Sequence, residues 1–195
     1  MENIRYKILL VEDDQLDQQA FERLVENEAL PYDYTIAGSV SQAKSILGRE
    51  QFDTIICDYS IGQDTAFDIL ELVKNTPVIV VTGTGNEEIA VNAWRAGAYD
   101  YLTKDIERSY LKALPITVAN AIRHKKAEEN LRLLSGAIMS TVDSVYITDI
   151  DNKITFVNKA FCDTYGYKKE EVLGKDSNIL WLVGPKTADT RAVFR

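Results

Sequence analysis

Three short runs limit what this chain can fold into: Ile8-Leu9-Leu10-Val11, Ile55-Ile56-Cys57 and Val78-Ile79-Val80-Val81. None alternates apolar with polar residues, so none offers a face suited to water. Strands of that kind are covered on both sides, as in a parallel sheet packed between helices. Tyr34-Thr35-Ile36-Ala37 and the segment from Tyr99 to Leu102 read as two further strands. Helical patterns lie between them. Leu16, Ala20 and Leu24 recur at four-residue spacing, as do Ile89, Ala93 and Gly97, with Trp94 beside them. Ser39 reads as a helix N-cap and Gly48 as that helix's stop. Together these elements predict an α/β fold with a five-stranded, doubly wound parallel sheet.

The sheet occupies only part of the chain. At 195 residues there is room for one large domain or two small ones. Charge is unevenly divided: residues 1–116 carry 20 acids and 10 bases, whereas residues 117–195 carry 10 acids and 12 bases. The acidic first part argues against direct nucleic-acid binding there, and the asymmetry points to two units. Hydrophobic residues at 46% and charged residues at 27% exclude disorder or coiled coil throughout. No apolar run approaches the ~20 residues of a membrane span, and the N-terminus lacks the pattern of a signal peptide. Cys57 and Cys162 lie far apart without metal-ligand spacing, so a cytoplasmic protein without disulfides is the simpler expectation.

In a doubly wound sheet the ligand site lies beyond the carboxyl ends of the strands. Glu12, Asp13 and Asp14 follow the first strand, Asp58 ends the third, Thr82 the fourth and Thr103-Lys104 the fifth. Crowded carboxylates repel one another and call for a cation, and oxygen-only ligands favour a hard ion such as Mg²⁺. Lys104 and Thr82 are suited to hold the oxygens of a transferred phosphoryl group. Asp58, at its own strand tip opposite Lys104, is the best candidate nucleophile, giving an aspartyl-phosphate. Each residue also has a plainer reading. The acids 12–14 can cap a helix, Thr82 can be a strand-end hydroxyl, Lys104 a surface charge and Cys57 an inert core residue.

Val11-Glu12-Asp13-Asp14, Cys57-Asp58, Val81-Thr82-Gly83 and Asp100-Tyr101-Leu102-Thr103-Lys104 carry a resemblance to the receiver domain of response regulators, over about residues 5 to 125. The resemblance implies a flavodoxin-like fold and transfer of a phosphoryl group to Asp58 from a histidine kinase or phosphotransfer protein. It implies Asp58, Thr82 and Lys104 as the catalytic set. Asp13 and Asp58 would face Mg²⁺, with Glu12 acting through a bound water and Ser60 through its carbonyl. Thr82 and Tyr101 would form the switch. Two departures stand out. Asp105 replaces the proline that usually follows the lysine, leaving the Lys104–Asp105 bond either trans, or cis at a cost of ~2.5–4 kcal/mol. Ile61-Gly62 replaces a hydrophobic–proline pair, which predicts a more flexible loop.

Pro115 suits a first helical turn, so residues 106–114 read as a turn or short helix, followed by a long helix over about residues 115–138. Residues 123–130 are polar apart from Ala127 and are expected to leave the globular body. His124, Ala127, Leu131, Leu134 and Ile138 keep one heptad phase, which fits either a short coiled coil forming a homodimer or a solvated connector. Beyond it, Val145–Asp149 and Ile154–Asn158 flank a hairpin turn at Asp151-Asn152-Lys153, and Ala160, Phe161 and Tyr165 mark one face of a short helix. This order, with Gly166-Tyr167 and Val172-Leu173-Gly174-Lys175, resembles the N-terminal part of a PAS domain, a partial α+β unit. Ser177 stands where the flavin-binding, light-sensing branch has its cysteine, so no flavin adduct is expected. The expected organisation is a receiver at 1–125, a helical linker at 126–142 and a truncated PAS domain at 143–195. The expected function is a phosphorylation-controlled signalling switch. The competing reading is an adaptor that is not phosphorylated and works by PAS-mediated dimerisation or ligand sensing.

Overall fold

The three apolar runs form the middle of a five-stranded parallel sheet in the computed structural model, which describes residues 5–83 and 87–180. The elements in chain order are β1 (Tyr6–Val11), α1 (Gln15–Asn27), β2 (Tyr32–Ala37), α2 (Val40–Leu47) and β3 (Thr54–Asp58). A two-residue ribbon follows, β4 (Ser60–Ile61) and β5 (Asp64–Thr65). Next come α3 (Ala66–Leu70), β6 (Val78–Gly83), α4 (Glu87–Arg95), β7 (Asp100–Lys104) and α5 (Tyr110–Ser140). The sheet order is β2-β1-β3-β6-β7. The chain reverses its winding at β1, whose neighbours are β2 and β3. That is the switch point where an open α/β sheet places its ligand site.

Alternate residues of each central strand enter opposite layers, although all are apolar. Leu9, Val11, Ile55, Cys57, Val78 and Val80 pack with Val40, Ala43, Ile69 and Ala93 from α2, α3 and α4. Ile8, Leu10, Ile56, Ile79 and Val81 pack with Phe21 and Val25 of α1 and with Leu114, Val118 and Ile122 of α5. Burying each such aliphatic side chain contributes roughly 1.5–3 kcal/mol, so both layers hold the strand tips at fixed positions. Cys57 is fully buried, and burial pushes its thiol pKa up, as the inert-core reading requires.

Several local expectations need correction. β2 begins two residues before Tyr34, and β7 runs from Asp100 to Lys104. On α1 the buried residues are Ala20, Phe21 and Val25, while Leu16 in the first turn is exposed. On α4 the buried positions are the small Ala90 and Ala93. Trp94 is 75% exposed, and Gly97 lies beyond the helix. Ser39 does cap α2, its hydroxyl accepting from Gln42 N at 3.1 Å. Ile61-Gly62 leads into the β4–β5 hairpin. Gly62 takes a left-handed φ of 62° at the tip of the β4–β5 hairpin, a conformation glycine adopts without a Cβ penalty.

The fifth helix starts five residues before Pro115, not at it. Tyr110, Leu114, Val118, Ala121 and Ile122 form a buried stripe from its first turn. That burial outweighs the one backbone hydrogen bond that proline withholds. Residues 123–126 also stay on the receiver body. Lys125 Nζ donates to the Phe52 carbonyl at 3.2 Å, Lys126 Nζ lies 4.8 Å from the Tyr6 ring centre, and the His124 and Tyr99 rings are 5.7 Å apart.

The chain divides into two compact units, Met1–Ala127 and Glu128–Arg195. In the second, β8 (Tyr146–Thr148) and β9 (Ile154–Val157) pair antiparallel, followed by α6 (Lys159–Tyr165) and α7 (Lys169–Val172). The turn between the strands is wider than Asp151-Asn152-Lys153. The Asp149 carboxylate accepts from the backbone of Asp151 and Lys153, and Asn152 takes a φ of 63°. Asn158 caps α6 through Phe161 N at 2.9 Å and also donates to the carbonyls of Ile138 and Asp143. Phe161 is buried with Ile154, Val157 and Val172, and Tyr165 packs against them, whereas Ala160 of the expected face is not part of that cluster.

Candidate functional site

The tips of β1, β3 and β7 converge on the amine of Lys104. Glu12 follows the last residue of β1, and its backbone N–H still donates to the Ala37 carbonyl of β2 at 3.0 Å. That pairing turns its side chain inward, where the residue is only 3% exposed. Asp58 closes β3, paired with Val81 of β6. Lys104 closes β7, paired with Gly83. Its Nζ donates to Asp58 Oδ2 at 2.6 Å, Glu12 Oε2 at 2.7 Å and Asp17 Oδ2 at 2.8 Å. An ammonium has three N–H donors, and all three meet carboxylates here. The surface-charge reading of Lys104 therefore fails.

The three acids after β1 have separate tasks. Asp14 alone caps α1, its Oδ1 accepting from Leu16 N at 2.7 Å. Asp13 turns outward and accepts from Gly62 N at 2.9 Å, tying the β4–β5 ribbon to the end of β1. One ligand oxygen from each of Glu12, Asp13 and Asp58 lies within 4.8 Å of the others. The Asp58 Oδ1 accepts from Ser60 N at 3.3 Å. Asp105 follows through a trans peptide bond and caps the next turn, its Oδ1 accepting from Ser109 N at 2.6 Å.

Burial raises the Glu12 pKa to about 7, opposed by the Lys104 hydrogen bond and reinforced by the negative charge of Asp58. For Lys104, burial opposes the charge, but the hydrogen bonds it donates to Asp17, Asp58 and Glu12 outweigh it and raise the pKa above the usual lysine range. An oxygen-rich, partly buried and net negative set of this kind fits a hard divalent cation.

Thr82 is 4% exposed, and its hydroxyl donates to the Gly83 carbonyl at 3.4 Å. Tyr101 pairs with Val80 through the backbone and is 46% exposed. It lines an open groove of about 530 Å³ with Ala90, Val91 and Trp94. Two site residues escaped the sequence reading. Asp17 on α1 bonds Lys104, and Arg108 in the loop after β7 meets Asp17 Oδ1 at 3.0 Å through a terminal guanidinium nitrogen. Asp17 stands one helical turn after the capping Asp14, a spacing that returns a side chain to the same face of α1. Arg108 takes a φ of 55°, which composition and periodicity do not reveal.

The family model for the response regulator receiver domain matches residues 8–114, more than half of the chain. The chain belongs to the receiver domain family. A second model, the PAS domain, matches residues 142–194. The receiver resembles the response regulator protein PilR of Pseudomonas aeruginosa, 30% identical over 129 residues covering 64% of this chain and 28% of the relative. It also resembles the regulatory protein LuxO of Vibrio cholerae, 34% identical over 105 residues, or 52% of this chain and 22% of the relative. The chain thus spans less than a third of these curated relatives. Among solved structures, the receiver domain of a LuxO repressor protein from Vibrio parahaemolyticus superposes with a TM-score of 0.58 at 28% identity. That match covers 66% of this chain and 98% of the other. The receiver's acidic cluster and lysine are in keeping with two-component signalling by aspartate phosphorylation. Among the described residues, no helix is long and apolar enough to cross a membrane.

Proposed function

We propose that this receiver accepts a phosphoryl group on Asp58 from a histidine kinase or phosphotransfer protein, and that residues 143–195 are the first part of a PAS module that receives the signal. The observation that carries the reading is the bond from Lys104 Nζ to Asp58 Oδ2 at 2.6 Å. It holds one carboxylate at a strand tip beside a cation that can follow the charge onto phosphoryl oxygens. An Asp58 carboxylate oxygen attacks phosphorus, the bond to the donor's histidine nitrogen breaks, and the electron pair leaves with that nitrogen. Lys104 then neutralises charge on the transferred group, and Thr82 donates its hydroxyl to another phosphoryl oxygen. Glu12, Asp13 and Asp58, with the Ser60 carbonyl, would hold Mg²⁺, which when bound screens charge between carboxylates and phosphoryl oxygens. Thr82 turning toward the phosphoryl group leaves space that Tyr101, now exposed, can enter. Incubation with acetyl phosphate and Mg²⁺ should add the mass of one phosphoryl group to the intact chain, and EDTA should prevent it. No mass gain under either condition would refute the reading.

The Glu12 carboxyl near 7 gives metal binding a pH dependence. Below that pH a proton competes with the cation, so Mg²⁺ affinity should fall as pH drops, approaching ~10-fold per unit. A titration at pH 6 should give several-fold weaker binding than at pH 8, and Glu12→Gln should flatten the difference. Asp13→Asn should weaken binding at both pH values by removing a charged oxygen. Equal affinity at the two pH values in the wild type would exclude Glu12 as the competing group.

A specific observation also supports a homodimer through the linker helix. Leu131 and Leu134, three residues apart on one face of α5, are 68% and 60% exposed. A second copy offering the same stripe would cover them. Sedimentation with and without beryllofluoride should show a dimer that Leu131→Glu with Leu134→Glu abolishes. A wild type that is monomeric in both states would reduce α5 to a tether.

A further inference from the structure

We propose that Asp17 is the exchangeable partner of Lys104, and that Arg108 holds Asp17 when Lys104 turns to the phosphoryl group. The inference rests on Asp58 being the phosphoacceptor. Its starting point is a donor count. Lys104 spends its three N–H groups on Asp58, Glu12 and Asp17, so an arriving phosphoryl oxygen must replace one of them. Asp58 is the group being modified. Glu12 is 3% exposed, and among the described hydrogen bonds its only other side-chain partner is the Asp14 N–H at 3.2 Å. Losing Lys104 would strand its charge in a poorly solvated place. Asp17 differs in having a second cation, with Arg108 at 3.0 Å on its other oxygen. It can release Lys104 and remain paired.

Asp17 is therefore a positioning residue that competes with the phosphoryl group for Lys104, and Arg108 weakens that competition by sharing the charge of Asp17. The two side chains should act in opposite directions. Asp17→Asn removes the competing charge, so Lys104 binds a phosphoryl analogue more tightly. Arg108→Gln leaves Asp17 with Lys104 as its sole strong cation, so the analogue binds more weakly. In the double variant Arg108 has no charge left to share, so the Asp17→Asn value should persist. A merely structural Asp17 would weaken binding when changed and would not reverse sign with Arg108.

The test titrates beryllofluoride in Mg²⁺ into the full chain by calorimetry. The expected shifts are roughly fivefold tighter for Asp17→Asn and roughly fivefold weaker for Arg108→Gln, the scale of one partly exposed ion pair. A metal-free measurement accompanies it. The Lys104 ammonium, observed by nitrogen NMR, should exchange its protons with solvent faster in Asp17→Asn than in the wild type. Saturable beryllofluoride binding in the wild type, with weaker binding in Asp17→Asn or the same direction in both variants, overturns this inference and leaves the phosphoacceptor reading standing. No beryllofluoride binding by a folded wild type overturns both.

Discussion

Asp58→Asn should abolish the mass gain from acetyl phosphate entirely. The amide has no carboxylate oxygen able to attack phosphorus, and each neighbouring acid is held in a different way. Glu12 is nearly inaccessible, and its raised pKa leaves it partly protonated at neutral pH. Asp13 is exposed, has one oxygen accepting from Gly62 N, and is not among the three carboxylates that Lys104 meets. Asp17 is tied between Lys104 and Arg108. Asparagine also keeps the shape of the side chain, so the variant should retain the fold while donating an amide where the wild type accepts. Intact-mass measurement of both proteins under one set of conditions decides the matter. Labelling of the variant at wild-type extent would move the phosphoacceptor elsewhere, and peptide mapping would then locate it.

The sheet and most of its site were legible because both depend on the ends of strands. A run such as Val78-Ile79-Val80-Val81 buries both faces only between two helical layers, and its polar successor Thr82 must then lie at the sheet edge. Glu12, Asp58 and Lys104 follow by the same reasoning, so their convergence could be expected from residues up to 92 positions apart. Asp17 and Arg108 could not be read so directly. An acid in the first turn of a helix has a sufficient explanation in the helix dipole, and a left-handed arginine leaves no pattern. Pro115 is a local signal that points five residues past the true start of α5. The stripe of Tyr110, Leu114 and Val118 is a tertiary one, and it prevailed. Ile61-Gly62 lacks the family's proline, yet glycine at the first central position is itself a signal for a two-residue hairpin.

Lys104→Met should destabilise the metal-free receiver strongly at alkaline pH and only slightly in acid. Methionine keeps the apolar stem, so the change isolates the ammonium. Without it, Glu12 and Asp58 stand side by side, 5% and 13% exposed at their side chains, with no cation between them. Removing one partner of a buried ion pair costs ~3–5 kcal/mol when the remaining charge has no other outlet. Here the outlet is a proton. In the wild type the pKa of Glu12 is already raised from 4.5 to about 7, and loss of Lys104 takes away the hydrogen bond that holds it down. For a group whose folded pKa lies above its unfolded value, the stability it contributes is fully present below the unfolded pKa. It is lost as pH rises through the folded one. The variant's deficit relative to wild type should thus be small near pH 4.5 and grow through pH 7 and above. Mg²⁺ at pH 8 should recover much of the deficit, since a divalent ion bound only by the folded state stabilises it by mass action. Thermal melts of both proteins at pH 5 and pH 8, with and without Mg²⁺, measure each part. An equal deficit at the two pH values, unaffected by Mg²⁺, would mean that Lys104 stabilises the fold through its stem, and that the three carboxylates are not held together by its charge.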